Sequence, residues 1–364
     1  MQNSKRNKQD DLIRVVAMLF VIMVHSVVIL KNQFEISFIY ALCFSCNSIF
    51  FMLSGKYNLR FKVANEDSIL SCCGGGIVSF LTYYKKKFIN IFLPFFICSL
   101  LIYLTSYNSP DFSIYNFFYK FFSNNIQGHL WFVYTLTGIM LISPFLSCML
   151  QNLSNNGLIL FVLIGLLWKL ITIILFYDIL KISFAFFDFA FNSWIFVFIL
   201  GYVCDRITTT KKTVFTFIII GVICFIVTLY QSIFLNSSAY LYDFSPFYIL
   251  FALGMYLLLG KVILIKNEYV NYVISIISKH SYTIYLVHYC VLNYVLNVDI
   301  FKSYFTNCTA QYILNVTLTF FGAFALAVFL DNIIIKNIKN CFEILLSKGI
   351  LFMTNKRSHG LHTK

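Results

Sequence analysis

The chain has 364 residues, 60% of them hydrophobic and 11% charged, with a mean hydropathy of +0.82. A soluble domain carries nearer a quarter charged residues, and the water-facing exterior of a chain this size cannot be built from so few. The net charge of +13 does not point to nucleic acid, because the basic residues stand in short loops and tails between apolar runs, as the positive-inside rule requires of a membrane protein.

A spanning helix needs roughly 20 apolar residues. Such runs are predicted at 12–31, 36–55, 88–107, 130–150, 157–177, 190–204, 213–235, 246–265, 281–298 and 310–335, the sixth being short. Their length favours helices over a barrel, whose strands would alternate. The fold class is therefore all-α, a polytopic membrane protein of about ten transmembrane helices. Lys5, Arg6 and Lys8 ahead of the first run resemble the start of a signal peptide. Arg14 interrupts that run and no small-residue cleavage site follows, so a retained first helix is expected.

The loops vote on orientation. With the N-terminus inside, the inner segments hold Lys56, Arg60, Lys62, Lys85, Lys86, Lys87, Arg206, Lys211, Lys212, Lys261, Lys266 and Lys279. The tail adds Lys336, Lys339, Lys348, Lys356, Arg357 and Lys364. The outer segments hold Lys31, Lys120, Lys181 and Lys302, with Asp111, Asp178, Asp188, Asp243 and Asp299. Both termini are thus expected in the cytoplasm, with a membrane domain over 1–340 and a basic cytoplasmic tail over 341–364. The longest inner loop, 56–87, contains Cys72-Cys73-Gly74-Gly75-Gly76, and no soluble domain is evident.

Eleven cysteines are scattered through the apolar runs. Cys43 and Cys46 form a CxxC in mid-span and read as small buried hydrophobes. Cys72 and Cys73 fall in a cytoplasmic loop, where disulfides are disfavoured. No metal-ligand spacing emerges.

An ionisable residue inside a span is costly and is a functional candidate by default. Arg14 and His25 share the first span. Eleven residues at about 100° each make close to three turns, so both face one way, about 16 Å apart along the axis. Asp11, one turn before Arg14, is placed to pair with it. Arg14 alone could snorkel to the headgroups, whereas His25 is too deep for that. Gly128-His129-Leu130-Trp131-Phe132 opens the fourth span on the outer side, where Trp131 alone reads as an interfacial anchor. His280 reads as a solvated cap at the inner boundary of the ninth span, and His288 lies about two turns deeper.

The run DLIRVVAMLFVIMVH, Asp11 to His25, resembles the opening signature of the acyltransferase-3 family of bacterial integral-membrane acyltransferases: arginine, ten residues, histidine. Arg14 and His25 match it. IFFMLSG (Ile49 to Gly55), YYKKKFINIFLP (Tyr83 to Pro94), HLWFVYTLTGIMLISP (His129 to Pro144) and SYTIYLVH (Ser281 to His288) resemble later family segments in the same order, the HLWF run belonging to the polysaccharide-modifying branch. One departure is Asn90, where the family often has a second basic residue. A phosphate-binding role for that turn then falls on Lys85, Lys86 or Lys87.

The resemblance implies a transferase of the bacterial plasma membrane. It would move an acyl group, usually acetyl, from cytoplasmic acyl-CoA to a hydroxyl of a surface glycan such as an O-antigen, or of its lipid-linked precursor. Acetyl-CoA is then a co-substrate, with no tightly bound cofactor and no metal, and the partners are acyl-CoA, glycan and membrane lipid. Arg14 and His25 become the catalytic candidates, with Asp11, Arg60, Lys85, Lys86, Lys87, His129, Trp131 and His288 as substrate-binding candidates. CoA phosphates need cations, which the inner mouth offers, and the span from Arg14 to His25 suits a pantetheine arm. His25 could act as general base or carry the acyl group itself. The rival readings are an exporter of polysaccharide or sugar-lipid or a proton-coupled transporter, since intramembrane His and Arg also suit a proton relay, and a scaffolding membrane protein.

The loop charges generate a test. In a cysteine-depleted background, Asn108→Cys should react with an impermeant maleimide in intact cells, and Asn355→Cys only after permeabilisation. Labelling of Asn355→Cys in intact cells would refute the cytoplasmic C-terminus.

Overall fold

The computed structural model describes residues 7–60, 77–106, 113–181, 191, 193–207, 209–234, 245–297 and 307–345. Cys72–Gly76, the outer Asp111, Asp188, Asp243, Asp299 and Lys302, and the tail from 346 lie outside the described residues. Among the described residues the regular structure is helical, without a strand. Seven stretches are long and apolar enough to cross a membrane: Lys8–Ile29, Gln33–Asn58, Ser79–Thr105, Gly128–Asn152, Asn155–Phe176, Lys211–Phe234 and Cys308–Leu345. The protein is an all-α, multi-pass membrane protein.

The helices are α1 (Lys8–Ser26), α2 (Gln33–Cys43), α3 (Ser45–Asn58), α4 (Ile77–Lys87), α5 (Leu93–Ser106), α6 (Ile114–Phe122), α7 (Trp131–Asn152), α8 (Asn155–Lys169), α9 (Trp194–Arg206), α10 (Lys211–Phe234), α11 (Pro246–Leu257), α12 (Glu268–Asn297) and α13 (Cys308–Phe329). Asn7 caps α1 by accepting from the Gln9 amide at 3.0 Å, and Asp10 and Asp11 occupy the first turn, where the helix dipole favours anions. The predicted span 36–55 is two helices, broken at Phe44. Between α4 and α5 the helix widens into a π turn, Phe88–Phe92. Pro94 has no N–H to give the carbonyl of Asn90, and its ring crowds that carbonyl, so the ladder opens there.

Three boundaries differ from the sequence reading. α12 starts at Glu268, well before 281, because Asn267 caps it through the amides of Tyr269 (2.9 Å) and Val270 (3.2 Å). Its first turns are amphipathic rather than apolar, which a hydropathy count overlooks. His280 is consequently no solvated cap: it is mid-helix and buried, its ring 6.1 Å from that of Phe324. The last helix runs on past 335 to Leu345, five residues into the predicted tail. The segment 107–128, predicted as an outer loop, contains α6, which buries Phe117 and Phe121 while Tyr115, Tyr119 and Phe122 stay exposed.

The chain divides into two compact units. The first is Met1–Tyr57 with Leu153–Phe324, the second Asn58–Asn152 with Ala325–Lys364. In the first unit, α3 and α9 cross at their glycines. A Cβ on Gly55 would sit 1.7 Å from the Phe198 carbonyl oxygen, and one on Gly201 1.8 Å from that of Met52. Phe51 stacks on Trp194, and Lys56 lies 3.8 Å from Asp205. Position rises together along both helices, so they run parallel. α1 and α12 also run parallel, touching at Asp11–Ser278 and again at His25–His288. Parallel neighbours that both cross a bilayer need an odd number of crossings between them, and the predicted spans supply one in each case. α10 and α11, adjacent in sequence, pack antiparallel with Gly221 and Gly254 face to face. Small residues at such crossings let backbones approach where lipid offers no hydrophobic drive. α9 is buried along nearly its whole length, so backbone beyond its ends can lie at membrane depth without facing lipid.

Gly55→Ala must push α3 off α9, and should destabilise by about 1–3 kcal/mol or more. The readout is a lowered Tm of detergent-purified protein. Gly138→Ala, whose Cβ would meet nothing within 4 Å, should not lower Tm, since alanine favours the helix over glycine.

Candidate active site

The N-terminal end of α1, in the first unit, is organised by two adjacent carboxylates. Asp10 and Asp11 are 1% and 2% exposed. An ionised carboxylate out of water needs a cation or donors, and successive helix residues point about 100° apart. Each therefore finds a different helix. Asp10 turns to α3, accepting from Lys56 Nζ at 2.7 and 2.8 Å and from the Tyr57 hydroxyl. Asp11 accepts from Arg14 Nη1 at 3.1 Å and from Ser278 Oγ of α12 at 2.8 Å. The Tyr57 ring lies between the cations, 5.5 Å from Arg14 Cζ and 5.7 Å from Lys56 Nζ. Asp205 of α9 closes the cluster through Lys56.

Arg14 is the outlying member. Its side chain is 27% exposed, against 15% for Lys56, 3% for Asp11 and 2% for Asp10. A guanidinium carries five N–H donors in a planar fork. Asp11 fixes one end of that fork and leaves the group able to meet an anion from outside the cluster.

Eleven residues further along α1, His25 meets α12 again. Its ring centroid is 5.3 Å from that of His288 and 5.5 Å from that of Tyr289, which stands edge-on. His288 is fully buried, and its Nδ1 lies 2.6 Å from the Tyr285 carbonyl oxygen. A carbonyl only accepts, so Nδ1 carries hydrogen and Nε2 is the basic nitrogen. Beside His25, Ser26 Oγ donates to the Ile22 carbonyl at 2.9 Å and approaches Asn315 Oδ1 of α13 at 3.5 Å. Asn315 and Thr319 are buried there, and the Tyr312 hydroxyl donates to the Met23 carbonyl at 3.1 Å. The C-terminal half of α1 thus has a polar lining on one side.

The structure accordingly brings together Asp11 with Arg14, and His25 with His288. The other sequence candidates belong to the second unit. Arg60 is exposed just past α3. Lys85 Nζ lies 3.3 Å from the Glu343 carbonyl oxygen, Lys86 is exposed, and Lys87 Nζ lies over the Tyr83 ring at 5.1 Å. His129 is buried in the 3₁₀ turn Gly128–Leu130 before α7, and Trp131 is half-buried against Phe132. α4 meets α7 where the Tyr84 hydroxyl donates to the Leu141 carbonyl at 2.8 Å. That is about 18 Å along α7 from His129, so the lysine triplet and the HLWF turn do not share a point.

Sequence reasoning missed Asp10, Lys56, Tyr57, Asp205, Ser278 and Tyr289. Lys56 had been read only as a topology charge, although its place beside Gly55 was a usable signal once the glycine crossing is known. It also passed over Lys169, which lies inside the predicted fifth span, is fully buried and has its Nζ 5.6 Å from the Phe196 ring centre. Among the described residues the cysteines are free thiols, and no group of three His, Cys, Asp or Glu could hold a metal ion.

Comparison with known proteins gives one result. The model of the acyltransferase-3 family, described as an acyltransferase domain, matches residues 9–331, which include every residue discussed above as a site candidate. No curated protein and no solved structure gives a significant match.

The carboxylate clamp is testable by a double-mutant cycle. Asp10→Ala leaves Lys56 with its main counter-ion gone and should destabilise by about 3–5 kcal/mol, whereas Asp10→Ala with Lys56→Met should recover much of that loss. Chemical denaturation in detergent reads both. A double variant no more stable than Asp10→Ala would remove the clamp from the account.

Proposed function

The chain belongs to the acyltransferase-3 family and is a membrane acyltransferase, and we propose that it moves acetyl from cytoplasmic acetyl-CoA to a hydroxyl of a surface glycan or its lipid-linked precursor, in the bacterial plasma membrane. The observation that carries this reading is the layout of α1. Arg14, held by Asp11, stands near its N-terminal end, and His25, set against His288, stands about 16 Å further along it.

The donor is polyanionic at one end and reactive at the other. Arg14 holds a CoA phosphate through its fork, with Asp11 and the Tyr57 ring fixing the guanidinium beforehand. The pantetheine arm then runs outward along α1 and brings the thioester near His25. The acceptor hydroxyl oxygen attacks the thioester carbonyl carbon while His25 takes its proton. The new C–O bond forms, the C–S bond breaks, and the CoA thiolate recovers the proton from the imidazolium. His288 serves as the positioning partner: its Nδ1–H is tied to Tyr285, and its ring packs against that of His25 at 5.3 Å.

The experiment uses purified full-length protein with labelled acetyl-CoA and a glycan acceptor, beside mass spectrometry of surface polysaccharide from cells with and without the gene. Transfer of label, and loss of one acetyl per repeat without the gene, is expected; an exporter would give neither. His25→Ala should insert normally, bind acetyl-CoA nearly as wild type and lose transfer. Arg14→Lys should insert but lose about tenfold or more in rate, at least ~1.4 kcal/mol of transition-state stabilisation, and should bind CoA weakly. Equal CoA affinity in wild type and Arg14→Ala would overturn the division of labour between the two residues.

A further inference from the structure

In the second unit α5 ends at Ser106, and α6 packs back along it in antiparallel fashion. Phe117 meets the Tyr103 ring at 5.4 Å and the Phe96 ring at 5.6 Å. One turn later Phe121 meets Phe96, Phe95 and Phe92 at 5.4, 5.1 and 6.1 Å. The apolar stretch Ser79–Thr105 ends ten residues after Phe95. By Phe121 the chain has therefore come about 15 Å back along the span, half the thickness of a hydrocarbon core. α7 forms the other wall: its Tyr134 stands edge-on to Phe95 at 4.9 Å and donates to the Phe121 carbonyl.

The side chains of α6 agree with this depth. Its open face consists of Ile114, Tyr115, Phe118, Tyr119 and Phe122, where a water-bathed helix would carry polar groups. Lys120 is the only Lys, Arg, Asp or Glu between 113 and 131. Its Nζ lies 5.9 Å over the Tyr103 ring, toward the end of the span, as in a snorkelling lysine.

At this depth the helix stops. Ser123 Oγ donates to the Tyr119 carbonyl at 2.7 Å, the Asn125 amide donates to the Lys120 carbonyl at 2.8 Å, and Asn124 takes a φ of 57°, which asparagine tolerates. The residues from here to Gly128 are irregular and mostly polar, with Ser123, Asn125 and Gly128 exposed. Irregular backbone at membrane depth is tolerated where it is buried in protein or lines a water-filled cavity, and not against lipid. The exposed residues rule out burial. Asn124 Oδ1 is enclosed without a hydrogen-bond partner among the described residues, and such an acceptor calls for a donor from outside the protein.

We infer that residues 113–130 form a re-entrant loop whose polar tip floors a water-filled vestibule, and that this vestibule takes a saccharide. The tip offers a hydroxyl and three amides and no Lys, Arg, Asp or Glu. Each amide presents donor and acceptor side by side, as neighbouring sugar hydroxyls do. Tyr119 and Trp131 flank the tip with rings that have an apolar body and a polar edge. CoA phosphates need cations, which the tip lacks. The choice of a saccharide rests on the glycan acceptor proposed above; the vestibule does not.

The test uses the full chain, cysteine-depleted, in leaky membrane vesicles where sidedness cannot matter. Asn125→Cys should react with a charged methanethiosulfonate and Phe118→Cys, facing lipid, should not. The probe ligand is surface polysaccharide from cells lacking the gene, which should slow the reaction at Asn125→Cys about fivefold or more. Asn124→Gly, which keeps the backbone free to hold a positive φ, should raise the KM for that polysaccharide about fivefold, with kcat and the KM for acetyl-CoA unchanged. An inert Asn125→Cys would overturn the vestibule. A reactive one that polysaccharide does not protect would overturn the saccharide, whether or not acetyl is transferred. So would an unchanged polysaccharide KM in Asn124→Gly. Protection by polysaccharide in a chain that transfers no acetyl would uphold this inference and remove the transfer instead.

Discussion

A carboxylate at the end of a membrane helix must meet a cation or several donors, and in this protein two such carboxylates stand side by side. Because Asp10 and Asp11 are neighbours on α1, they cannot share one partner. The helix repeat sends Asp10 to Lys56 and Tyr57 on α3, and Asp11 to Arg14 and to Ser278 on α12. An exposed ion pair adds at most about 1 kcal/mol. These acids are almost fully buried, so losing a partner costs several times more. Compensation of buried charge therefore fixes which helices α1 touches at its N-terminal end.

That arrangement needs α3 to arrive at the right height and distance. Gly55 sets both, by letting α3 lie against the backbone of α9 at Phe198. Lys56 follows immediately and lands between Asp10 and Asp205. A methyl group at residue 55 would force the two backbones apart and carry Lys56 away from its contacts. The glycine thus acts on the site without touching it. The Asp11–Ser278 contact does the same for the histidine level, since it holds α1 and α12 in the register that sets His25 beside His288.

The second unit follows a different logic. Its helices carry aromatic side chains packed on one another, from Phe92, Phe95 and Phe96 to Phe117 and Phe121. The lysine triplet, adjacent in sequence, is split by the helix repeat into three directions: Lys85 toward the last helix, Lys86 outward and Lys87 over Tyr83.

Composition and periodicity alone determined the fold class, the placement of most spans and the membership of Asp11, Arg14 and His25 on one helix, because hydropathy and i to i+3 spacing are properties of a single segment. The Asp11–Arg14 pair was legible for that reason. Sequence could not show that Asp10 meets Lys56, 46 residues away, or that Asp11 meets Ser278, 267 residues away, since those contacts depend on how helices cross. It misplaced His280 because the first turns of α12 are amphipathic and a hydropathy window reads amphipathic helix as loop. It proposed His25 and His288 separately. Only the parallel packing of α1 and α12 set the two rings against each other, since local spacing carries no information about which helix becomes a neighbour.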